Sequence, residues 1–301
     1  MTNSVRVFAP AKINLFLHVG DKRADGYHAL QSLVVFADVG DELTLHRSRT
    51  LSLAIEGPFA GPLSIEGDNL VLRTARLLAE KLELPLGADI VLTKNLPVAS
   101  GIGGGSADAG AAMRGLTRLW RRFLDPQKQL HIEQGAGRWA TELGSDVPVC
   151  LRSSPSWMEG RGELITAAGI VPQFPLLLVN PGVAVSTGPI FQALKERRGT
   201  RMEKPEALHD KKTLLEFLAA TINDLETPAR EIQPVIGDVL DTLAAQPGAL
   251  LTRMSGSGAT CFALFESEDA STAAAEVIAS RQRGWWVRAG RVAHDAVGIP
   301  Q

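Results

Sequence analysis

The chain has 301 residues, with 31 Lys and Arg against 33 Asp and Glu and a formal net charge of −2, so it lacks the basic excess that a sequence-independent nucleic-acid binder needs. Its 45% hydrophobic and 21% charged residues, with 29 glycines and 17 prolines, exclude global disorder and low complexity and leave two domains of about 150 residues as the expectation. The only cysteines, Cys150 and Cys261, each sit in an apolar run and read as core residues in a reducing compartment rather than as a disulfide or metal pair.

Arg6, Lys12 and Asn14 interrupt the apolar amino-terminal run before it can serve as an export signal, and no later stretch reaches spanning length. A cytoplasmic protein with no membrane partner is expected. Residues 5–19 alternate as a strand, with Ile13, Leu15 and Leu17 on one face and Asn14, Phe16 and His18 on the other. After a charged connector at 20–27, residues 30–36 and 42–46 read as two strands separated by a turn at Val39-Gly-Asp-Glu42, giving an antiparallel opening.

From Asp68 the apolar period becomes helical through Leu70, Ala75, Leu78 and Leu82, behind an Asp/Asn cap. A strand at 88–93 and the glycine-dense stretch 97–105 follow, and then a helix that begins at Ser106. Residues 127–143 form another helix, which ends at Gly144 in the place a helix-terminating glycine prefers and leaves Asp146 at the junction before VPVCL. A domain change is expected between 161 and 174, dividing the chain into 1–165 and 166–301. The second half offers strands at 176–179, 259–265 and near Trp286, and helices at 213–220, 232–246 and 270–282. The economical architecture for it is a small open sheet covered by helices on one face, with the charged stretch 195–212 mobile.

In Pro97-Val98-Ala99-Ser100-Gly101-Ile102-Gly103-Gly104-Gly105-Ser106, glycines let the main chain approach a ligand, and the following helix aims its unpaired N–H groups at the loop. That arrangement suits phosphate. The loop has neither the GxxxxGK[ST] spacing of a P-loop nor the early position and downstream acid of a dinucleotide fingerprint. An oxidoreductase reading of the glycines is therefore disfavoured. Taken singly, Lys12 is an ordinary strand lysine, Asp146 a loop-capping aspartate, and Gly26-Tyr27-His28 a surface turn.

Taken together, PAKINLFLHVG at 10–20, LPVASGIGGGSADA at 96–109 and SGSGATCFAL at 255–264 resemble the three motifs of GHMP kinases. GYH at 26–28, LGSDVP at 143–148 and NDLE at 223–226 are similar in particular to the branch that phosphorylates 4-diphosphocytidyl-2-C-methyl-D-erythritol. The resemblance implies an α+β, two-domain fold: an amino-terminal domain like domain 2 of ribosomal protein S5, a ferredoxin-like carboxy-terminal domain, and the active site in the cleft between them. It also implies ATP as co-substrate, Mg²⁺, a small-molecule acceptor and a place in the non-mevalonate route to isoprenoid precursors. A monomer or weak homodimer is expected.

On this resemblance Asp146 is the general base for the 2-hydroxyl, and Lys12 pairs with it while orienting the hydroxyl for in-line attack. Asn14 contacts substrate. Tyr27 and His28 receive the cytosine base, Phe191 closes on it from the opposite side, and Thr187 assists. Residues 97–107, ending in Ser106 and Ala107, wrap the ATP phosphates, with Ser106 near the β-phosphate or Mg²⁺; Asn69 and Lys94 are further candidates. No acidic cluster has the spacing of a dedicated metal cage, so no metal ligand is assigned. Ala99 and Ser100 depart from the glycine usual at the start of the family's loop, which implies a stiffer loop there. The alternatives are another kinase of the family, of homoserine or mevalonate type, and a non-catalytic nucleotide-binding regulator; GYH with NDLE argues against the first, and Lys12 with Asp146 against the second.

Overall fold

A computed structural model describes residues 4–61, 69–83, 87–200 and 202–293. In chain order the elements are β1 (Ser4–Lys22), β2 (His28–Ser48), β3 (Leu51–Glu56), α1 (Leu70–Leu82), β4 (Gly87–Thr93), α2 (Gly104–Trp120), α3 (Pro126–Leu143), α4 (Val147–Arg152), β5 (Ser156–Gly160), β6 (Leu164–Ala167), β7 (Pro175–Asn180), α5 (Thr187–Ala193), α6 (Lys211–Ala219), α7 (Glu226–Ile232), α8 (Val235–Ala244), β8 (Ala249–Met254), β9 (Cys261–Phe265), α9 (Glu268–Arg281) and β10 (Trp286–Ala293). Asp68, where the sequence starts its first helix, lies outside the described residues; Asn69 caps α1 by accepting from the Val71 N–H at 2.9 Å.

β2 is the spine. One edge pairs along its length with β1, and the other serves β5, β10 and β4 in succession. β10 continues the ladder to β7, β9 and β8, so one sheet runs through both halves of the chain. The turn expected at residues 39–42 does not form. A Cβ on Gly40 would stand 2.4 Å from the Ala9 carbonyl oxygen, so glycine serves close strand approach there, and Asp41 is turned into the core. The mismatch with β1 is absorbed by an irregularity between Pro10 and Lys12.

A second irregularity, between Asn14 and Phe16, reassigns faces. Ile13, Leu15 and Phe16 enter one core cluster, whereas Leu17 joins another with Val19. The simple alternation placed Leu17 with Ile13 and Phe16 opposite; one extra residue in the ladder exchanges them.

Three clusters make the core. α1 to α4 cover one face of the part of the sheet formed by β1 to β4, and Cys150 lies in this layer. α8 and α9 cover one face of β7, β9 and β10, and Cys261 lies there. The third cluster joins Leu176, Leu178, Phe262 and Leu264 to Ile13, Leu15 and Leu33, with Leu214 and Leu218 of α6. The β7–β10 part of the sheet is therefore covered on both faces, not one as expected, because β1, β2 and α6 supply the missing layer.

The helix expected at 232–246 is divided: α7 stops at Ile232, and Pro234, which has no N–H to continue a helical ladder, caps α8. Gly144 ends α3 in an extended conformation, φ 162°, rather than the left-handed one, because the chain turns at once into α4. Among the described residues of the stretch 195–212 no regular element precedes α6, yet they are pinned: Gly199 N–H donates to the Val19 carbonyl, and Met202 and Gln31 exchange two hydrogen bonds of 2.9 Å. Among the described residues no helix is long and apolar enough to cross a membrane.

Candidate active site

A cleft of about 670 Å³ lies where the halves meet, lined by β1, the glycine loop, the Ser145–Asp146 turn, α5 and the 256–257 loop. At its floor Lys12, only 4% exposed, places Nζ 2.9 Å from Asp146 Oδ2 and donates to Asn14 Oδ1 at 3.2 Å. β1 presents Lys12 and Asn14 on the same face, as a period of two requires. Asn14 Nδ2 in turn donates to Ser32 Oγ at 2.8 Å, and Ser32 donates to the Phe16 carbonyl. The ammonium is thus held between two acceptors, and the Asp146 side chain, 35% exposed, faces the opening.

The glycine loop is docked from both sides. Lys12 N–H donates to the Ile102 carbonyl at 3.0 Å, and Thr260 N–H to the Ser100 carbonyl at 3.1 Å. Ser255 Oγ accepts from Asn14 N–H and donates to the Gly101 carbonyl, both at 3.2 Å, so one hydroxyl ties β1, the loop and the second half together. Gly101 has φ 76°, and a Cβ there would stand 2.4 Å from the Ser255 carbonyl oxygen; no other residue fits. α2 then begins at Gly104, two residues before the sequence expectation, and its first turn faces the cleft through Gly104, Gly105 and Ser106. That exposes unpaired helix N–H groups to an anion.

Beneath this loop lies a buried ion cluster. Lys94 Nζ donates to Asp41 Oδ2 and, at 2.7 Å, to Asp108 Oδ2, while Asp41 Oδ1 accepts from the Asn95 and Leu96 N–H groups at 2.6 and 2.8 Å. The loop's two stems, at 95–96 and in α2, are thereby held to each other. Burial pushes the Asp108 carboxyl up to about 8; Lys94 opposes the rise and Asp41 adds to it. Burial lowers the Lys94 ammonium, but the two carboxylates outweigh it and leave it raised.

On the far wall the His28 ring stacks on Phe191, with centroids 5.6 Å apart and planes at 23°. His28 Nδ1 contacts the Gly20 carbonyl oxygen at 3.1 Å, and Thr187 Oγ1 meets Ser257 Oγ at 3.0 Å. Tyr27 is 58% exposed, with the Arg161 guanidinium over its ring. A glycine loop at a helix N-terminus, an acid–lysine pair and a wall of rings therefore open into one space.

The family models for the GHMP kinases N terminal domain and GHMP kinases C terminal match residues 69–154 and 201–283. A 4-diphosphocytidyl-2-C-methyl-D-erythritol kinase of Cereibacter sphaeroides is 51% identical over 95% of this chain and 98% of its own length. The chain belongs to the GHMP kinase family. A second such kinase, from Paramagnetospirillum magneticum, is 48% identical over 94% of this chain and 97% of its own. The crystal structure of a 4-(cytidine 5'-diphospho)-2C-methyl-D-erythritol kinase superposes with a TM-score of 0.75 at 30% identity, covering 96% of this chain and 99% of that one. The two halves and the cleft between them are the two-domain GHMP kinase fold.

Within this GHMP kinase the structure gathers Lys12, Asn14, Tyr27, His28, Asp146, Thr187 and Phe191 around the cleft, with Ala99, Ser100, Gly101, Gly103, Gly104, Gly105 and Ser106 of the loop. Pro97 and Val98 lie outside the lining, and Ile102 and Ala107 are core residues. Asn69 serves as the α1 cap, and Lys94, 2% exposed, is spent on its two carboxylates rather than facing the cleft. Phe191 stacks on His28 and, like Tyr27, lines the cleft. Ala99 adopts φ 51°, the left-handed region that a side chain disfavours, so the entry of the loop carries backbone strain. Sequence reasoning gives no role to Arg161, Ser255 or Ser257; the SGSG segment is the only signal for the two serines, and Arg161 has none.

Proposed function

We propose that this kinase transfers the γ-phosphoryl group of ATP to the 2-hydroxyl of 4-diphosphocytidyl-2-C-methyl-D-erythritol, giving the 2-phosphate and ADP. The observation that carries the reading is the Lys12–Asp146 pair, 2.9 Å apart, at the floor of a cleft that has a phosphate cradle on one side and aromatic rings on the other. The names of the relatives supply the acceptor.

Asp146 accepts the hydroxyl proton as the oxygen attacks, with its open side toward the cleft. Lys12, fixed by Asn14 and Asp146, places positive charge beside the attacking oxygen and the transferred group, where negative charge gathers in the transition state. The loop from Ala99 to Ser106 and the first turn of α2 hold the triphosphate through backbone N–H groups. Tyr27, His28 and Phe191 hold the cytosine base and Thr187 supports it, so that the methylerythritol end reaches Asp146.

Mg²⁺ fits as a passenger of the nucleotide: among the described residues no group of three His, Cys, Asp or Glu could cage it, while Ser106 and Asp146 offer oxygen near the cradle. When bound it offsets charge on the triphosphate. Two buried free cysteines fit a reducing cytoplasm, and the acceptor places the enzyme in the non-mevalonate route to isoprenoid precursors.

The test is ATP-dependent phosphorylation of 4-diphosphocytidyl-2-C-methyl-D-erythritol with Mg²⁺, beside Asp146→Asn and a panel of homoserine, mevalonate and galactose. Turnover of the cytidine substrate alone, lost with Asp146, is the expected result. Turnover of a different alcohol only would overturn the acceptor, and ATP binding with no transfer to any alcohol would overturn the enzyme.

A further inference from the structure

Arg161 sits in the tight turn between β5 and β6 and lines the cleft beside Tyr27, His28 and Asp146. By sequence it falls where the change of domain is expected, with no role of its own. Its guanidinium lies 5.5 Å from the centroid of the Tyr27 ring, and the turn is anchored by its backbone, with Arg161 N–H donating to Glu163 Oε2 at 2.5 Å. The turn passes close to the Ser145–Asp146 segment, where a Cβ added at Gly162 would stand 3.7 Å from the Ser145 carbonyl oxygen.

The acids nearby have closer partners, and Asp25 feels the Arg161 charge only at longer range. Glu163 lies 3.9 Å from the Arg23 guanidinium, and Asp25 pairs with Arg23 at 3.2 Å and accepts the Tyr27 N–H. Among the described residues no carboxylate lies within ion-pair distance of the Arg161 guanidinium, whereas Lys12, the other cation lining the cleft, is taken by Asp146. A half-exposed ring holds the planar fork by cation–π attraction without using any of its N–H donors. Such a fork, with all its donors free, suits phosphate oxygens.

Resting on the reading under Proposed function, we propose that Arg161 is a specificity-determining residue that binds the diphosphate of the acceptor substrate. The diphosphate links the base, held at Tyr27 and His28, to the alcohol at Asp146, and Arg161 stands among these residues. Its place on the aromatic wall separates it from the glycine loop that takes the ATP phosphates. In this kinase the acceptor is thereby selected by charge as well as by stacking.

The test compares wild type, Arg161→Met and Arg161→Lys for direct binding of CDP and of cytidine by calorimetry, together with steady-state kinetics and a thermal melt as the check of folding. Arg161→Met is expected to weaken CDP about tenfold or more and leave cytidine within twofold, the loss expected for a charge-assisted phosphate contact. Arg161→Lys recovers part of that loss. In turnover the KM for the cytidine diphosphate substrate rises in parallel, with kcat and the KM for ATP within threefold.

Equal weakening of CDP and cytidine would make Arg161 a base contact and overturn the proposal. A fall in kcat at constant KM would place it on the transferred phosphoryl group and overturn the proposal too, as would unchanged CDP binding. If wild type binds CDP and Arg161→Met does so equally well, only this inference fails; if wild type binds no CDP, the acceptor assignment fails with it.

Discussion

Replacing Lys12 by methionine separates a catalytic lysine from a structural one. The residue is 4% exposed, and its ammonium is satisfied by Asp146 and Asn14. Burying an ammonium costs several kcal/mol, which its partners only roughly offset, so a methionine of similar length should change stability by no more than about 1 kcal/mol. Asp146 is 35% exposed and regains water when its partner leaves. The cost to chemistry is larger: loss of a preorganised positive charge at the reacting oxygens should lower kcat by about 10²–10³-fold, or about 3–4 kcal/mol on the barrier.

Asp146→Asn should lower kcat by about 10²–10⁴-fold. It should also cost more stability than Lys12→Met, about 1–3 kcal/mol, because it strands the more deeply buried partner. If the two act as a unit, the double variant loses little more turnover than the worse single one. ADP release measures kcat, and urea unfolding measures stability. Turnover above one-tenth of wild type in Lys12→Met, or barrier losses that add in the double variant, would refute the dyad.

Ser255→Ala strands the Asn14 N–H and the Gly101 carbonyl; it should cost about 1–3 kcal/mol in urea unfolding and raise the KM for ATP, and an unchanged KM would show the loop needs no such tie. Tyr27→Ala and Phe191→Ala should each raise the KM for the cytidine substrate by about five- to hundredfold, the value of one base stack, with the KM for ATP within twofold. Asp108 gives a pH signature. Its folded carboxyl titrates at about 8 against an ordinary value of 3.8, so the folded state holds the proton more tightly and stability falls as pH rises between those values. Asp108→Asn should flatten that slope in melts taken from pH 5 to 8.5, and an unchanged slope would assign the titration elsewhere.

The sequence alone carried the local rules. Glycine density at 97–105 before a helical period points to a loop that feeds a helix N-terminus, and the change of period from residue 68 announces α1. Each of these depends on neighbours within a few residues, and the family resemblance added the rest. Short elements escaped: β3, β5, β6, β8, α5 and α7 are four to seven residues long and acquire their identity from a partner strand or layer.

Only the tertiary structure decided what Gly40-Asp41 does. As a sequence it is turn material; in the fold, the close approach of β1 requires the glycine, and a lysine distant in sequence draws the aspartate inward. The same holds for Lys94, whose two carboxylates arrive from β2 and α2, and for Leu17, turned by a ladder irregularity that no hydrophobic pattern encodes. Arg161 is the clearest case, since nothing in its local sequence distinguishes it from a solvated turn arginine. Its place comes from the strand pairing that sets it over Tyr27, with no carboxylate among the described residues within ion-pair distance of its guanidinium.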